Sequence, residues 1–514
     1  MLKAVLAFVS CAAALVSASA SAAEPQWTAA ETEHFIIYSK GPPERIEKLA
    51  TDVETYDKLM RMATGIPADA QPVKVRIYEV DDTGAIQKAL GIDPSVGVGG
   101  FYDSNSLGPF LVTPRKTGFE GYDFGPELVR HHEYAHHFML QYFPSSYPAW
   151  YTEGFAELVG ASEVLDDGRI GYGMPAKHRG HDIAAYWAPL QEVLAKDKVW
   201  AVDTYGQGWA LTHFFTFDKS RSAQFREYLQ ALRVGKTLEE ASRVFGDLSS
   251  LNREARLYVV NSRFDYKPVK VEIARPVIQR TRPVSAGEAA LIPEVIAFRD
   301  DPLDSYKKAG ARERERKLRE ANLERIREKA QLYPRDRFVL TFLAEAEYAA
   351  GNYPQAEAAA DRLLALDPND ARGLARKAIL QARRASTLDS AARASALADA
   401  RKMAVRANKA NPDEALPYIA FYETFRFSGE KPTAAALLGL KEAMTMQPLS
   451  VVPRDLFIDA LANNGLYDQA IAWLLPIANS AHDSPRRDAA REKLAKLKAA
   501  RDAQRKTAAV STKG

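Results

Sequence analysis

The sequence predicts two folded parts, an α+β domain built on a mixed sheet and, after it, an all-α domain of helical repeats. Strand-like and helix-like patterns alternate in the first half of the chain. Beyond residue 305 almost every stretch has the apolar spacing of an amphipathic helix. The chain of 514 residues is also long enough for two or more domains.

The α+β domain opens with a strand–helix–strand–hairpin series. Residues 34–39 form an apolar run typical of a strand, and apolar residues at helical spacing predict an amphipathic helix over residues 44–62. Residues 73–78 alternate like a half-buried strand. Apolar runs at 99–102 and 110–113 predict a hairpin, one strand of which we expect at the sheet edge, where an extended peptide could pair with it.

Changes in composition predict the domain boundaries. The α+β domain is expected over residues 23–264, and its second half carries helical patterns that form a helical subdomain. Residues 265–304 hold five prolines and are interpreted as a connecting segment, with a candidate strand at 269–273. Helical repeats are predicted over residues 305–502, and residues 503–514 are predicted to be a disordered tail.

The all-α part carries an internal repeat. Pro334 and Pro368 lie 34 residues apart in similar segments, and 34 residues is the tetratricopeptide period. The Gly-Leu-Tyr-Asp-Gln-Ala stretch at 465–470 matches the Gly-Asn-Tyr-Pro-Gln-Ala stretch at 351–356. In these features the region resembles tetratricopeptide repeats, which are pairs of antiparallel helices. The resemblance implies a surface for a protein partner.

The N-terminus predicts export from the cytoplasm. Lys3 precedes a short apolar run and a series of small residues, which is typical of a secretory signal, so residues 1–22 are predicted to be a cleaved signal peptide. We therefore expect a secreted protein, located in the periplasm; an uncleaved anchor or lipidation at Cys11 are the alternatives. No later stretch is apolar and long enough to span a membrane. The balance of 69 basic and 66 acidic residues gives no electrostatic argument for nucleic-acid binding.

Residues 132–136 read His-Glu-Tyr-Ala-His, the HExxH pattern. On a helix, residues i and i+4 share one face, so His132 and His136 can bind one metal ion while Glu133 reaches a water molecule beside it. Cys11 is the only cysteine and lies in the predicted signal peptide. A further metal ligand in the mature chain is therefore a histidine, an aspartate or a glutamate.

A second motif follows in the stretch Trp-Tyr-Thr-Glu-Gly-Phe-Ala-Glu at residues 150–157. Here the chain resembles the gluzincin metallopeptidases, both the zinc aminopeptidases and the bacterial peptidase MA-like domains. The resemblance implies one Zn²⁺ per chain, with Glu153 as the third ligand after His132 and His136. Glu157, one helical turn further on, is placed to accept the spare ring N–H of a ligand histidine. The alternative for each glutamate is a solvated position on a helix.

Tyr205 lies in Thr-Tyr-Gly-Gln-Gly, which is similar to the Tyr-x-Lys-Gly stretch of the zinc aminopeptidases with Gln207 in place of lysine. The resemblance implies that Tyr205 donates a hydrogen bond to the oxyanion of the transition state. The alternative is a tyrosine of the core. The Gly-x-Met-Glu-Asn stretch with which those aminopeptidases bind a free amine is missing from the sequence. The resemblance covers roughly residues 27–245 and does not imply aminopeptidase specificity.

The other histidines near these motifs are expected to be structural. His131 and His137 are out of phase with the i, i+4 pair, so they point away from the metal face. His213 is interpreted as a histidine of the core. His178 and His181 lie in a glycine-rich loop, where we expect them to be exposed to solvent.

These features predict a zinc-dependent peptidase whose helical repeats recruit the substrate or a protein partner. We expect Glu133 to be the general base that activates water and later protonates the leaving amine, and Tyr205 to hold the oxyanion together with zinc. Two alternatives stay open. One is a non-catalytic scaffold whose first domain binds a peptide or a metal, and the other is a zinc hydrolase of a different amide, such as a cell-wall cross-link.

Overall fold

The computed structural model describes residues 26–67, 73–95, 97–118, 123–199, 201–261 and 264–511. It has an N-terminal region, residues 26–308, built on a mixed sheet, and a helical-repeat region, residues 309–511. The predicted signal peptide lies outside the described residues. Among those residues, no helix combines the length and the apolar character that crossing a bilayer requires.

The described strands belong to two sheets. They are β1 (Trp27–Glu31), β2 (Phe35–Lys40), β3 (Val75–Val80), β4 (Phe101–Asn105), β5 (Gly108–Pro114), β6 (Glu163–Val164), β7 (Ile170–Tyr172), β8 (Lys267–Val269) and β9 (Arg280–Pro283).

The described helices fall into two sets. Those of the N-terminal region are α1 (Pro43–Thr64), α2 (Thr83–Leu90), α3 (Pro126–Tyr142), α4 (Ala149–Gly160), α5 (Gly180–Ala185), α6 (Leu190–Ala195), α7 (Ala201–Phe217), α8 (Ser222–Arg233), α9 (Leu238–Ser242), α10 (Leu248–Val260) and α11 (Ala286–Ala297). Those of the helical-repeat region are α12 (Ala309–Leu332), α13 (Arg337–Ala349), α14 (Tyr353–Leu366), α15 (Ala371–Ala385), α16 (Ser390–Ala410), α17 (Ala415–Ser428), α18 (Ala434–Met446), α19 (Val451–Asn463), α20 (Tyr467–Ala478) and α21 (Pro485–Ser511).

The main sheet is mixed, with the strand order β4-β5-β3-β2-β1-β9. β2 pairs with β3, and β3 with β5, in parallel, while the other neighbours are antiparallel. The predicted strands, first helix and hairpin are present as β2, α1, β3 and β4–β5. Of the two hairpin strands, only β4 lies at the edge; β5, which covers the predicted run 110–113, is an inner strand because it also pairs with β3.

The two faces of this sheet contribute to separate cores. Successive side chains of a strand point to opposite faces, so Ile37 and Ile77 pack towards α1, α3 and α4. Their neighbours Tyr38 and Tyr78 pack on the other face, against α2, α11, α12 and α13. The first repeat helices therefore share a core with the sheet, which joins the two regions into one packed body.

The expected connecting segment, residues 265–304, is part of the fold, which corrects the prediction. β8 pairs with β7, β9 pairs with β1, and α11 packs on the sheet. The prolines led to the prediction of a loop, because proline lacks a backbone N–H and is typical of loops. Pro283 is tolerated at the end of β9, which is an edge strand and leaves that N–H position facing solvent.

The helical-repeat region is a stack of helical hairpins. α13 contacts α14, α15 contacts α16, α17 contacts α18 and α19 contacts α20. Asp336 and Asp370 cap the N-termini of α13 and α15, accepting from backbone N–H groups, and lie 34 residues apart as the period predicts. Gly351 and Gly465 both take positive φ angles, of 80° and 72°, in the turns inside their hairpins.

The last helix extends further than predicted. Residues 503–511, expected to begin the disordered tail, continue α21. They follow a stretch rich in alanine, lysine, arginine and leucine, which have high helix propensity, with no glycine or proline to end the helix. Residues 512–514 lie outside the described part of the chain.

A glycine contact brings α4 and α7 unusually close. A Cβ atom at Gly154 would overlap the carbonyl oxygen of Gly208 and the side chain of Thr212. A Cβ atom at Gly208 would in turn lie 2.5 Å from the carbonyl oxygen of Trp150. The two helices can therefore cross at this distance only because both positions lack a side chain.

We expect Gly154→Ala to destabilise the protein by about 2 kcal/mol or more, because overpacking at a backbone contact outweighs the better helix propensity of alanine. Gly160→Ala on the same helix is the control. The nearest atom to a Cβ there is the Leu128 oxygen at 3.6 Å, so the substitution is expected to be neutral or slightly stabilising. Urea unfolding of both variants measures the difference, and equal stabilities would contradict the prediction.

Candidate metal centre

The helix that carries HExxH, α3, is held against α1 by buried polar contacts. The Tyr134 hydroxyl donates to Asp57 Oδ1 at 2.5 Å. Arg130 donates twice to Asp52 Oδ2, at 2.7 and 2.9 Å, and His131 Nε2 lies 3.0 Å from Asp52 Oδ1. These contacts fix the rotation of α3 about its own axis, so the opposite face points into a cavity.

The neighbouring histidines follow this arrangement. His131 also stacks on Tyr56, with ring centroids 3.7 Å apart, and His137 Nδ1 lies 3.2 Å from the Tyr102 hydroxyl on β4. Burial lowers the pKa of His137 to about 3, so its ring is neutral. Both rings point away from His132 and His136 and have structural partners, as their phase in the helix predicts.

The described residues include a second group with metal-binding potential, formed by His34, Glu54 and Asp57. Its charges are already matched by protein groups. His34 Nδ1 lies 2.7 Å from Glu54 Oε2, and Arg61 Nε donates to Asp57 Oδ2 at 2.6 Å. The group is therefore a buried ion-pair network under α3, and its polar atoms do not require a cation.

The cavity face of α3 brings His132 and His136 together with Glu153 of α4. His132 Nε2 lies 3.1 Å from His136 Nε2, and Glu153 Oε2 lies 3.3 Å from the first and 3.5 Å from the second. Two ligand atoms bound tetrahedrally to Zn²⁺ at about 2.1 Å are about 3.4 Å apart. The three separations therefore fit the geometry of one small divalent cation.

The burial of Glu153 is a second indication that a cation fits here. Its side chain is 1% exposed, and neither carboxylate oxygen has a hydrogen bond of good geometry among the described residues. A buried carboxylate costs several kcal/mol unless positive charge or hydrogen bonds compensate it. The charge and the donor set of this group suit zinc, which accepts two imidazoles and a carboxylate.

Glu157 lies behind His132, where the sequence places it. Its Oε1 is 3.4 Å from His132 Nδ1, so the ring offers Nε2 to the cation position and Nδ1 to Glu157. Two groups from the loop before α5 complete its surroundings. His178 Nε2 lies 2.6 Å from Glu157 Oε2, and Arg179 Nη2 donates to Oε1 at 2.7 Å.

The expected exposure of His178 is therefore wrong, since its side chain is 3% exposed, whereas His181 is exposed as predicted. The prediction of exposure rested on the glycine-rich sequence around His178, which indicates only a flexible loop. In the structure His178 and Arg179 pair with the buried carboxylate of Glu157, a contact that no local sequence pattern predicts.

The buried acids also set the ionisation of this cluster. Burial alone would lower the pKa of His132, but the carboxylates of Glu153 and Glu157 raise it to about 10. Burial would raise the pKa of both glutamates, yet the surrounding histidines and Arg179 hold those pKa values well below the usual range. Without a cation the acids retain the His132 proton, and a bound cation takes its place.

Glu133 and Tyr205 line the same cavity as this group. Glu133 lies beside Gly100, where a Cβ atom would be 3.5 Å from its Cγ. The Tyr205 ring centroid is 6.2 Å from that of His132, and the Arg179 guanidinium lies over the tyrosine ring at 4.8 Å. Burial and then the charges of Glu153 and Glu133 raise the pKa of Tyr205, which keeps the hydroxyl protonated.

Two other positions of the sequence motifs are structural. Gln207, at the place of the lysine in the similar aminopeptidase stretch, accepts from the Ala188 N–H at 2.9 Å and donates to its carbonyl at 2.8 Å. His213 is buried, with contacts of 2.8 Å to the Tyr258 hydroxyl and 2.9 Å to the Gly173 carbonyl. The interpretation of His213 as a core histidine agrees with these contacts.

The cavity has a volume of about 810 Å³. The segment before β4, β4 itself, α3 and α4 form one side of it, and the loop between α20 and α21 forms the other. His482 of that loop places Nε2 3.2 Å from Glu153 Oε1. No motif in the sequence identifies His482, because it reaches the site only through the packing of the helical-repeat region.

The group of residues can hold a divalent cation with two imidazoles and one carboxylate. Beside it lie a carboxylate that can accept a proton, Glu133, and a hydroxyl that can donate a hydrogen bond, Tyr205. These are the groups that water-mediated hydrolysis of a carbonyl compound needs.

No protein-family model matches the chain, and no curated protein matches it significantly. Similar solved structures include a thermophilic TPR protein of Thermus thermophilus, which is 19% identical, with 38% of this chain and 97% of that chain covered and a TM-score of 0.30. Yeast Tom70 is 13% identical, with 70% of each chain covered and a TM-score of 0.24. At these TM-scores the likeness carries no argument, and the repeat assignment rests on the helical hairpins themselves.

The Asp52 contacts predict a stability that depends on pH. Burial alone would raise the pKa of Asp52, but His131 and Arg130 hold it well below its ordinary range. The ion pair therefore stabilises the fold above the unfolded-state pKa of about 3.9, and this contribution is lost as the pH falls further. We expect Asp52→Asn to be less stable by about 2 kcal/mol at pH 7, since it leaves the buried Arg130 unpaired.

Urea unfolding between pH 7 and pH 3 tests this expectation. The difference between wild type and Asp52→Asn should be constant down to about pH 4 and then shrink. Glu163→Gln is the control, because its ion pair with Lys177 is exposed, with side chains 45% and 54% accessible, and should contribute little at any pH. If the stability difference between wild type and Asp52→Asn were unchanged or larger at pH 3, the stabilising role of the Asp52 ion pair would be refuted.

Proposed function

We propose that this protein is a zinc-dependent peptidase that hydrolyses peptide bonds of extended polypeptides. The observation that carries the proposal is the spacing of 3.1 to 3.5 Å between His132 Nε2, His136 Nε2 and Glu153 Oε2 in a cavity that also holds Glu133 and Tyr205. Zinc held there would supply a Lewis acid and lower the pKa of a water molecule. The predicted signal peptide suggests that the enzyme works in the periplasm.

Glu133 is the general base in this proposal. Its carboxylate takes a proton from the attacking water and delivers it to the leaving amine, which needs one group that both accepts and returns a proton. The position of Glu133 supports this role, because it is next to His132 in the chain and beside Gly100 at the start of β4. A bond lying along β4 would therefore pass close to its carboxylate.

Tyr205 acts as the oxyanion donor. The raised pKa of its hydroxyl means that it stays protonated throughout the neutral range and can donate to the developing negative charge. Arg179 lies against the tyrosine ring and pairs with Glu157, so it orients the ring without occupying the position of the substrate.

The substrate class follows from the sheet edge beside the site. Among the described strands, β4 has a neighbour on one side only, and residues 97–103 line the cavity. A peptide in extended conformation could pair with this edge, and backbone pairing gives affinity with little dependence on sequence.

The helical repeats would bring the substrate or a protein partner to this edge. A larger cavity of about 1430 Å³ lies between α11, α12 and the repeat helices α13, α15, α17 and α19, and it shares Arg299 and Asp301 with the cavity of the site. The two cavities are therefore neighbours, and a polypeptide bound in the larger one would be held near β4.

The stack of helical hairpins favours a second candidate function. A non-catalytic scaffold would use the repeats to bind a protein partner and the N-terminal region to bind a metal or a peptide without turnover. Both functions predict metal binding, and they differ in the need for Glu133 as a base. Substitution of Glu133 therefore separates them.

The first test combines metal analysis with two substitutions in the full-length protein. Wild type should contain about one zinc per chain, and His136→Ala should lose it because two ligands cannot replace three. Glu133→Gln should keep the zinc and lose hydrolysis of an unfolded protein substrate by at least about 10²-fold.

His181→Ala and Glu127→Gln are the matched controls, since both residues are exposed and the second lies on the same helix as Glu133. Both should behave like wild type. If Glu133→Gln retained full hydrolytic activity, the catalytic role would be excluded. If wild type bound zinc and peptide but hydrolysed neither proteins nor peptides, the scaffold function would replace the peptidase.

The second test concerns Tyr205. We expect Tyr205→Phe to lower kcat by about 10²-fold or more with little change in KM, because the hydroxyl acts only when the oxyanion forms. Zinc content should stay at the wild-type level. Tyr186→Phe, at a tyrosine that is 50% exposed, is the control. A change confined to KM would indicate that Tyr205 binds the substrate and does not stabilise the transition state.

A further inference from the structure

The segment that follows the last repeat hairpin crosses over the candidate metal centre. This docking segment, residues 479–487, comprises the connection from α20 to α21 and the first three residues of α21, and it lines the cavity of the site. At its start, Asn479 Nδ2 donates to Ser146 Oγ at 2.6 Å, in the loop between α3 and α4. Next to it, the Val199 N–H donates to the Ala481 carbonyl at 2.7 Å. Its first half is thus hydrogen-bonded to the N-terminal region.

Charged contacts fix the second half of the docking segment. Lys198 lies 2.7 Å from Asp483, and Arg486 lies 3.2 Å from Asp103 of β4. Arg487, whose side chain is 1% exposed, donates to the Asp197 carbonyl at 2.6 Å. Burial of a guanidinium with a satisfied donor is typical of a defined interface, because an unpaired one would cost several kcal/mol.

His482 lies between these anchors, and the contacts on both sides of it determine where its ring points. Its Nε2 is 3.2 Å from Glu153 Oε1, whereas the other oxygen, Oε2, faces His132 and His136. The two oxygens of Glu153 thus have different partners. Among the described residues, the group within metal-binding distance contains His132, His136 and Glu153 but not His482, so one coordination position is left open.

We propose that His482 is a positioning residue of the metal centre, supplied by the helical-repeat region. Its ring Nε2 faces Glu153 Oε1 at 3.2 Å, from where its N–H would donate to that oxygen and hold the carboxylate with Oε2 towards a bound cation. Such partners orient a ligand and raise metal affinity and activity by about 10- to 100-fold. This inference rests on the zinc site of the proposed function. It implies that neither region completes the site alone.

The test compares His482→Ala and His482→Gln in the full-length protein. We expect the zinc dissociation constant of His482→Ala, measured by competition with a chromophoric chelator, to rise about 10-fold. The visible spectrum of the Co²⁺-substituted variant should shift, because the Glu153 carboxylate turns. His482→Gln keeps an N–H donor of similar reach and should restore affinity to within about threefold of wild type. kcat should follow the same order, with KM unchanged.

His181→Ala is the matched control for removal of an imidazole, since His181 is exposed and outside the site. It should leave the zinc affinity and the Co²⁺ spectrum at their wild-type values. The far-ultraviolet circular dichroism of the metal-free variants should match that of wild type, because the His482 side chain is 59% exposed and the docking segment keeps its other contacts. A loss of folded structure in metal-free His482→Ala would overturn the proposal in favour of a structural role.

Wild-type zinc affinity and an unchanged Co²⁺ spectrum in His482→Ala would also overturn it. An equal loss of zinc affinity in His482→Ala and His482→Gln would overturn it as well, since the N–H donor would then have no effect. The affinity measurement needs no substrate and separates this inference from the proposed function. Suppose that wild type binds zinc but hydrolyses no peptide, and that His482→Ala lowers the zinc affinity. The peptidase function would then be excluded, whereas the positioning role of His482 would stand.

Discussion

The structure depends on the burial of two carboxylates one helical turn apart on α4. Glu153 and Glu157 are both at most 1% exposed, and an uncompensated buried ion costs several kcal/mol. Partners come from separate segments of the chain: the two histidines of α3, His178 and Arg179 of the loop before α5, and His482 of the docking segment. Glu157 is satisfied by these groups. Within the described part of the chain Glu153 has no well-formed hydrogen bond, so a cation would compensate its buried charge.

The position of these acids in turn depends on how the helices pack around them. Gly154 follows Glu153 directly and lets α4 touch the backbone of α7 at Gly208. The close crossing brings Tyr205, three residues before Gly208, to the rim of the cavity. On the other side, Tyr134 and Arg130 fasten α3 to α1, so the face with His132 and His136 meets Glu153. Backbone packing thus sets the relative positions of the three candidate ligands, as a preorganised site requires.

Local sequence patterns predicted the parts of this arrangement that depend on neighbours in the chain. The i, i+4 spacing of His132 and His136, the apolar run of β2 and the alternation of β3 are local patterns, and the structure contains these elements. It also brings Glu153 next to the two histidines. His178 and His482 could not be found this way, because their placement follows from the charge of residues far along the chain. β1 was missed because its alanines have low strand propensity, although it pairs with a strand on each side. Residues 265–304 were misinterpreted because their prolines resemble those of a linker.

The two regions of the chain are coupled at several places, including hydrogen bonds from Arg372 and Gln447 to the Ser106 carbonyl. They share the core on one face of the main sheet, and the docking segment joins them over the cleft. Movement of the helical hairpins relative to the sheet would break the contacts of Asn479 with Ser146 and of Arg486 with Asp103. A partner bound to the repeats can shift this arrangement only if its affinity differs between the form with these contacts and a form without them. Because both contacts lie beside the cavity that holds β4 and Glu153, any such shift would act on the sheet edge and on this candidate metal ligand at the same time.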